Sequence, residues 1–551
     1  METLPAEIIT QIMEYLPFDD RREVAMVNEA FYYGSYHPMF SRKELLTYRS
    51  LHEKLNSFNE FKNMLKKSRR KLFCLKFIGL NFVDDLTIFT DLGNRIVLLN
   101  FYNLESLDDS FLDAIAQCCI NLEKLVFVKL TDLYLTDKDR VPILKLCCID
   151  LEYVQITDRE FNLILKLAPN LKDLSIIGSN INSSSLVLQR FYPHDTNDVT
   201  NNNHLFNKYN SNYIFSDKNI IHHLNNSVRL NSLVLSESHI FFQIQPLQHK
   251  LKSLVLSFEN KFINQSFNFM NFEVLSQYVS LERLEIHNLP VELLSNVSKL
   301  YNLRHLILSY IIVKSNVFNG PELLKSLKSF LLSLKDLKHI KTLSFNRADE
   351  NHCIMFPTLA LPNCIFNSLT SLDCSLDTDF GALIFGKNLT SLRIRNGGIL
   401  NENYLKLIFS RLTNLQHLHI DQCYNVNDFV LIDLPISNLK GLITLKILDS
   451  KVSYRCLQSI TNPSLKVLIF DNVSFKSISS QHDLNKFEES ILILSANIPA
   501  LTHLEVCMNP TSLRLIESLK LLSYFRSNAK TLINVNFKRM KKFKLWDWYS
   551  Y

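Results

Sequence analysis

Residues 389–394 read LTSLRI and residues 415–420 read LQHLHI, the same L-x-x-L-x-[LIVF] phrase on two stretches of chain. Its last three positions alternate apolar, variable, apolar, which is the period of a strand that buries one face. The phrase recurs as LEKLVF at Leu122, LEYVQI at Leu151, LKDLSI at Leu171, LNSLVL at Leu230, LKSLVL at Leu251, LERLEI at Leu281 and LRHLIL at Leu303. It continues as IKTLSF at Ile340, LTSLDC at Leu369, LITLKI at Leu442, LKVLIF at Leu465 and LTHLEV at Leu501. Weaker versions are KLFCLKF at residues 71–77 and TLINVNF at residues 531–537. A core helix supplies one such spacing by chance, whereas about fourteen copies set mostly 20 to 37 residues apart define a repeat.

Each unit has room for a short strand and a returning helix or irregular segment, and too little apolar area to fold alone. Stacked units therefore form one long parallel sheet, bent because helices on its outer side need more width. The expectation is an α/β leucine-rich-repeat solenoid, a horseshoe with parallel strands on its concave face. Helical returns are legible in DDSFLDAIAQCC, residues 108–119, and in GPELLKSLKSFLLSLKDL, residues 320–337, where Gly-Pro marks a start. A stacked parallel β-helix gives a similar strand signal, but the long helical returns favour the horseshoe. The asparagine-rich stretch at residues 191–226 separates the phrases at Leu171 and Leu230 and reads as an insertion holding one degenerate repeat and a loop. The solenoid is expected over 71–545, with a tail at 546–551 that carries Trp546 and Trp548.

At 551 residues the chain exceeds an ordinary single core, a limit that repetition removes. The net charge of +6 is unevenly placed: residues 1–40 hold seven acidic residues against Arg21 and Arg22, and a basic run ends in KKSRRK at residues 66–71. That run reads as a solvated helix face in a helical linker over 46–70, and nucleic acid is not expected, since no zinc-finger, RNA-recognition or helix-turn-helix signature accompanies it. Eleven cysteines without a disulfide-like framework suit a reducing compartment, with the pairs Cys118/Cys119 and Cys147/Cys148 read as core positions at helix ends. No signal peptide and no uninterrupted apolar span of membrane length is visible, so no membrane association is expected and the location is expected to be intracellular, cytoplasmic and/or nuclear.

The register makes inner-face side chains nameable, because the third, fifth and seventh positions of the phrase project from the concave sheet. Arg393 and Arg395 share one strand, His417, His419 and Asp421 the next, and Lys446 the one after. Strands about 4.8 Å apart gather these six residues into one patch, a candidate surface for substrate contact. Arginine clamps a carboxylate or phosphate, and histidine joins it near neutral pH. The alternative is an ordinary solvated face. Earlier positions such as Val234, Val255 and Ile307 are more apolar.

The N-terminal stretch LPAEIITQIMEYLPFDDRREVAMVNEAFY, residues 4–32, has a different texture, with apolar residues at helical spacing. Through Leu4-Pro5, Glu7-Ile8, Ile12, Tyr15-Leu16, Asp20-Arg21, Val27-Asn28 and Phe31 it resembles the F-box family, over a head of residues 1–45. The repeats resemble the leucine-rich-repeat members of that family. The tryptophan usual there is matched only by Tyr32, Tyr33 and Tyr36. The resemblance implies the substrate-recognition subunit of an SCF-type E3 ubiquitin ligase. Its head would bind a Skp1-like adaptor and, through it, cullin and RING subunits, while the repeats hold a protein substrate. Leu4, Pro5, Ile8, Ile12, Leu16, Val27 and Phe31 are the adaptor-binding or head-core positions it implies. The alternatives are a terminal helical cap for the solenoid and a repeat scaffold with no ligase role.

Motifs for chemistry of the chain's own are missing. There is no glycine-rich phosphate loop, no G-x-S-x-G elbow, no H-E-x-x-H and no paired C-x-x-C. The expectation is a non-catalytic protein without metal or cofactor, contributing proximity rather than bond chemistry.

Overall fold

The repeat phrase sets the strands. In Ser391–Arg395, Leu392 and Ile394 are buried, while Ser391, Arg393 and Arg395 lie half-buried on the opposite face. Parallel register carries the pattern onward: Leu392 pairs with Leu418, Leu418 with Leu445 and Leu445 with Leu468. Ile394, Ile420, Ile447 and Phe470 form the next rung. The first leucine of each phrase, as at Leu389, Leu415, Leu442 and Leu465, is also buried. Each such side chain contributes about 1.5–3 kcal/mol, and most of that depends on the neighbouring repeat being in place.

The structure is a computed structural model. It describes residues 5–16, 21–49, 55–79, 86–182, 230–235, 251–258, 272–290, 294–312, 329–346, 367–375, 386–395, 402–421, 426–448, 452–471, 481–508 and 534–539, with gaps of one to three residues inside some of these ranges. The insertion at 191–226 and the tail at 546–551 lie outside the described residues. The chain divides into two units, Met1–Glu259 with Gln265–Val274, and Asn260–Asn264 with Leu275–Tyr551.

The first unit contains β1 (Leu45–Arg49), β2 (Phe73–Ile78), β3 (Ile96–Tyr102), β4 (Ser106–Asp108), β5 (Lys124–Val128) and β6 (Asp132–Tyr134). They are followed by β7 (Cys148–Glu152), β8 (Gln155–Thr157), β9 (Asp173–Ile177), β10 (Asn180–Asn182), β11 (Ser232–Leu235) and β12 (Ser253–Ser257). β1, β2, β3, β5, β7, β9, β11 and β12 pair in that order, all parallel. β4 with β6, and β8 with β10, form small parallel pairs. Its helices include α1 (Ala6–Glu14), α2 (Glu29–Ser35), α3 (Leu55–Lys67), α4 (Asp109–Cys118) and α5 (Asp158–Lys166).

The second unit runs through β13 (Arg283–Pro290), β14 (His305–Ile312), β15 (Thr342–Asn346), β16 (Ser371–Ser375) and β17 (Ser391–Arg395). It continues through β18 (His417–Asp421), β19 (Thr444–Leu448), β20 (Val467–Asp471), β21 (His503–Met508) and β22 (Asn534–Arg539). Each pairs parallel with the next. Its return segments include the helices α6 (Glu402–Arg411) and α7 (Gln481–Asn497). The fold is therefore α/β, with a large sheet of parallel strands built by repetition. Among the described residues no helix is long and apolar enough to cross a membrane.

Four details differ from the sequence reading. The phrase placed at Leu151 is carried instead by Leu146, Ile149 and Leu151, because Ile149 pairs with Leu125 and Leu151 with Phe127. Isoleucine at the middle position hid that register, and Val154 with Ile156 supplied a false copy just beyond it. Cys147 and Cys148 accordingly lead into β7 rather than ending a helix. β3 is a further repeat, with Ile96, Leu99 and Phe101 in the three apolar places. The sheet also begins before the expected boundary: β1 falls within the stretch read as a helical linker, and pairs Leu46 with Leu75 and Tyr48 with Phe77. Among the described residues of that stretch, α3 alone answers the helical expectation. Tyr48, the one buried residue of β1, packs against Phe58 and Phe61 of α3, each ring 5.3 Å away. Finally, β9 and β11 are direct neighbours in the sheet, Leu174 pairing with Leu233, although 54 residues separate them in sequence.

Local chemistry fixes the turns. Gly79, Asn103, Lys129 and Tyr153 follow successive strands with φ of 65°, 58°, 57° and 52°. Each N–H donates to the last carbonyl of the next strand, to Tyr102, Val128, Glu152 and Ile177 at 2.8–2.9 Å. The left-handed turn is repeated, strained for the three non-glycine residues, and held by that bond. Asparagine side chains form a second ladder. Asn121, Asn170, Asn302, Asn388 and Asn414 each stand one residue before the phrase and donate Nδ2 to a carbonyl of the preceding repeat at 2.6–2.9 Å. Helix starts are capped: Asp108 accepts from the Phe111 N–H at 2.9 Å, and Thr157 with Glu160 forms a reciprocal capping pair.

Candidate functional site

The head is organised by doubled apolar positions on α1. Ile9 and Met13 point inward and pack with Phe31 and Phe40, with Leu16, Val24 and Ala30 at the edge of that cluster. Asn28 accepts from the Phe31 N–H at 3.0 Å and so starts α2. Gly34 on α2 faces Ile9, where an added Cβ would stand 2.7 Å from Ile9 Cγ2. The close approach needs glycine. Glu44 joins this cluster to the strands: its carboxylate lies 3.1 Å from Arg21 and 2.8 Å from Arg70, and the Arg21 guanidinium covers the Phe40 ring at 4.6 Å.

A second apolar side is left over. Ile8 and Ile12 are 41% and 38% exposed, and Tyr15, one turn further, is 87% exposed. Val27 is 70% exposed, and Met26 beside it is exposed as well. Of the positions drawn from the resemblance, Pro5, Ile8, Ile12 and Val27 therefore face solvent, Leu16 is half-buried and Phe31 is core. Leu4 lies outside the described residues. The core residues Ile9 and Met13 were missed, although an apolar pair on each turn of α1 (Ile8-Ile9, then Ile12-Met13) signals a helix with two apolar sides.

In the second unit the six inner-face candidates come together. Asp373, Arg393, His419 and Lys446 stand in register on β16, β17, β18 and β19, and Arg395 pairs with Asp421 along the neighbouring row. His417 is exposed, at the near end of β18. Both arginines are already engaged with aspartates on adjacent strands. Arg395 binds Asp373 through two bonds, Nε–Oδ1 at 2.9 Å and Nη2–Oδ2 at 2.7 Å. Arg393 reaches Asp421 by one bond, Nη2–Oδ2 at 3.1 Å. The two-pronged clamp anticipated for a ligand is thus spent within the sheet by Arg395. Asp373 is readable on this face from the fifth position of its phrase, whereas its bonding to Arg395 is not.

His419 lies between Arg393 and Lys446. Burial first, and then the charges of Arg393, Lys446 and Arg395, push its pKa down to about 3, so the ring is neutral at physiological pH. Its Nε2, and the Nε of Arg393, are buried without a hydrogen-bond partner among the described residues. Lys446 makes no ion pair among the described residues. Elsewhere on the unit, hydrogen bonding from His287, together with Arg283, holds Glu285 down to about 2.

The first unit's inner face is mixed rather than apolar. Lys76, Asn100, Val126, Asp150, Ser175 and Val234 share one row, and Lys124 meets Asp150 at 2.5 Å. Asp173 has a raised pKa from burial and from Asp150 beside it. Among the described residues no group of His, Cys, Asp and Glu could hold a metal ion.

No family model matches the chain, and no curated protein matches it. Among solved structures it is similar to the crystal structure of the Rad7 and Elc1 complex in yeast, at 14% identity and a TM-score of 0.32, covering 91% of this chain and 87% of that one. A superposition that loose says nothing of partners. The fold and the two surfaces define the class: an α/β protein of stacked parallel-strand repeats, preceded by a small helical head.

Proposed function

We propose that this chain is a substrate-recognition subunit of an SCF-type ubiquitin ligase. Its head docks a Skp1-like adaptor that links it to cullin and RING subunits, and its repeats hold a protein substrate. The chain has no catalytic part in the transfer and acts by proximity. One observation supports this reading above the others: Ile8, Ile12 and Tyr15 stay exposed on a helix whose other side packs on Phe31 and Phe40 through Ile9 and Met13, at the residues that carry the F-box resemblance. A helix that only capped the strands would turn its apolar residues inward. An exposed apolar helix side suits a docking partner.

The test is co-purification of the full chain with a Skp1-like adaptor. Wild type is expected to retain the adaptor, and the double variant Ile8→Asp, Ile12→Asp to lose it at least about tenfold while melting as wild type does. Leu16 is a poorer target, since it packs on the head core. Repeated failure of wild type to bind would favour a repeat scaffold outside any ligase.

A further inference from the structure

We propose that the inner face of the second unit, between β17 and β20, binds an acidic side chain of a partner polypeptide, seated over His419 between Arg393 and Lys446. This deepens the receptor reading by naming what the inner face takes. It does not depend on the adaptor.

Three observations carry it. The first is an unmatched charge. Arg393, Arg395 and Lys446 face Asp373 and Asp421, the aspartates are bonded to the two arginines, and Lys446 has no ionic partner among the described residues. The second is geometry. Arg393, His419 and Lys446 occupy the same rung of three neighbouring strands. The two cations are therefore about 10 Å apart at the backbone, and both side chains are long enough to converge above the half-buried imidazole. Arg393 is held on one prong only, which leaves its guanidinium able to share a second oxygen. The third is the apolar surface alongside. Ile469 is the register partner of Lys446, and Leu448 stands two residues beyond it on the same strand face. A polypeptide offers a carboxylate and aliphatic surface together, and an inorganic anion does not.

The occupant's charge follows. With one cation unmatched, a carboxylate neutralises the patch. A phosphate dianion would overshoot it and be repelled by Asp373 and Asp421, so the choice falls on Asp or Glu. The burial of polar atoms at His419 and Arg393 without partners is consistent with a face completed by something bound over it.

The experiment selects a displayed random peptide library on immobilised full-length protein. It uses wild type, Lys446→Glu, the milder Lys446→Met and the head variant Ile8→Asp, Ile12→Asp. Wild type is expected to enrich peptides with an acidic residue beside an aliphatic one. A synthetic copy of the strongest is expected to bind Lys446→Glu and Lys446→Met at least about tenfold more weakly, and its Glu→Gln or Asp→Asn form to bind wild type more weakly by a similar factor. The head variant should keep full peptide affinity, so loss of adaptor binding and loss of the inner-face site read separately. The proposal is overturned if wild type enriches no acidic family, if both Lys446 variants bind as wild type does, or if a phosphoserine in place of the acidic residue binds about tenfold more tightly.

Discussion

At the residue scale, His419 shows how a repeat register creates an electrostatic burden. Its row places Arg393 on one side and Lys446 on the other, with Arg395 diagonal and His417 and Asp421 on its own strand. The folded protein therefore holds this imidazole neutral down to about pH 3, whereas the unfolded chain protonates it near 6.5. Between those values the unfolded state binds more protons, so stability contributed by His419 is complete above pH 6.5 and is lost as pH falls toward 3. His419→Gln removes that dependence. The variant is expected to lose about 1 kcal/mol less unfolding free energy than wild type between pH 7 and pH 5, after discounting for solvent screening. Denaturant titrations at the two pH values measure it, and an equal loss in both proteins would count against a depressed histidine. Glu285 is the counterpart with its loss at lower pH, since a carboxylate held near 2 weakens the fold only below its ordinary range. Asn462 carries a different residue-scale role. It is wholly buried, donates to the Ile436 and Leu439 carbonyls at 3.0 and 2.9 Å and accepts from the Ser464 N–H at 3.0 Å. Asn462→Ala leaves those groups without partners and is expected to cost about 2–3 kcal/mol, read from a shifted denaturation midpoint.

At the element scale, the strands were legible where leucine filled the phrase and illegible where chemistry allowed a substitute. Isoleucine at 149 and 96, and tyrosine at 48, fill the same buried places, but none of them is distinctive in a chain this apolar. The asparagine ladder was readable in hindsight as N-L-x-x-L at Asn121, Asn170, Asn302, Asn388 and Asn414. The head was legible as an apolar helix, yet sequence alone left open which side of α1 is core. That depends on Phe31 and Phe40 reaching back to Ile9 and Met13. The pairing of charges on the inner face was open for a similar reason, because Arg395 bonds diagonally to Asp373 rather than across its own rung. Gly34 tests the head packing. The Ile9 methyl that its Cβ would strike is on a branched, buried side chain with little room to give, so Gly34→Ala is expected to destabilise the head by about 1–3 kcal/mol. Limited proteolysis should then cut within the first forty-odd residues well before it does in wild type, with the strand units cleaved at unchanged rates. Equal resistance would mean that α1 and α2 have room the distance denies.

At the scale of the whole molecule, repetition decides how damage spreads. Each strand buries its apolar rung mainly against the strands before and after it, as Leu418 does between Leu392 and Leu445. Stability in such an array is a sum of unit terms and nearest-neighbour terms rather than a property of one shared core. A cavity should therefore weaken the protein locally. Leu418→Ala deletes a side chain that is 1% exposed, and a cost of about 2–5 kcal/mol is expected at that repeat. Hydrogen exchange followed strand by strand measures its reach. Amides of β17, β18 and β19 should exchange faster, by a factor that falls with each further strand toward β13 or β22. A uniform acceleration across the second unit would show interface terms strong enough for the array to unfold as one body, against the local spread expected here. The same locality bears on recognition, because a substitution such as Lys446→Met can alter one rung of the inner face while the remaining rungs keep their register.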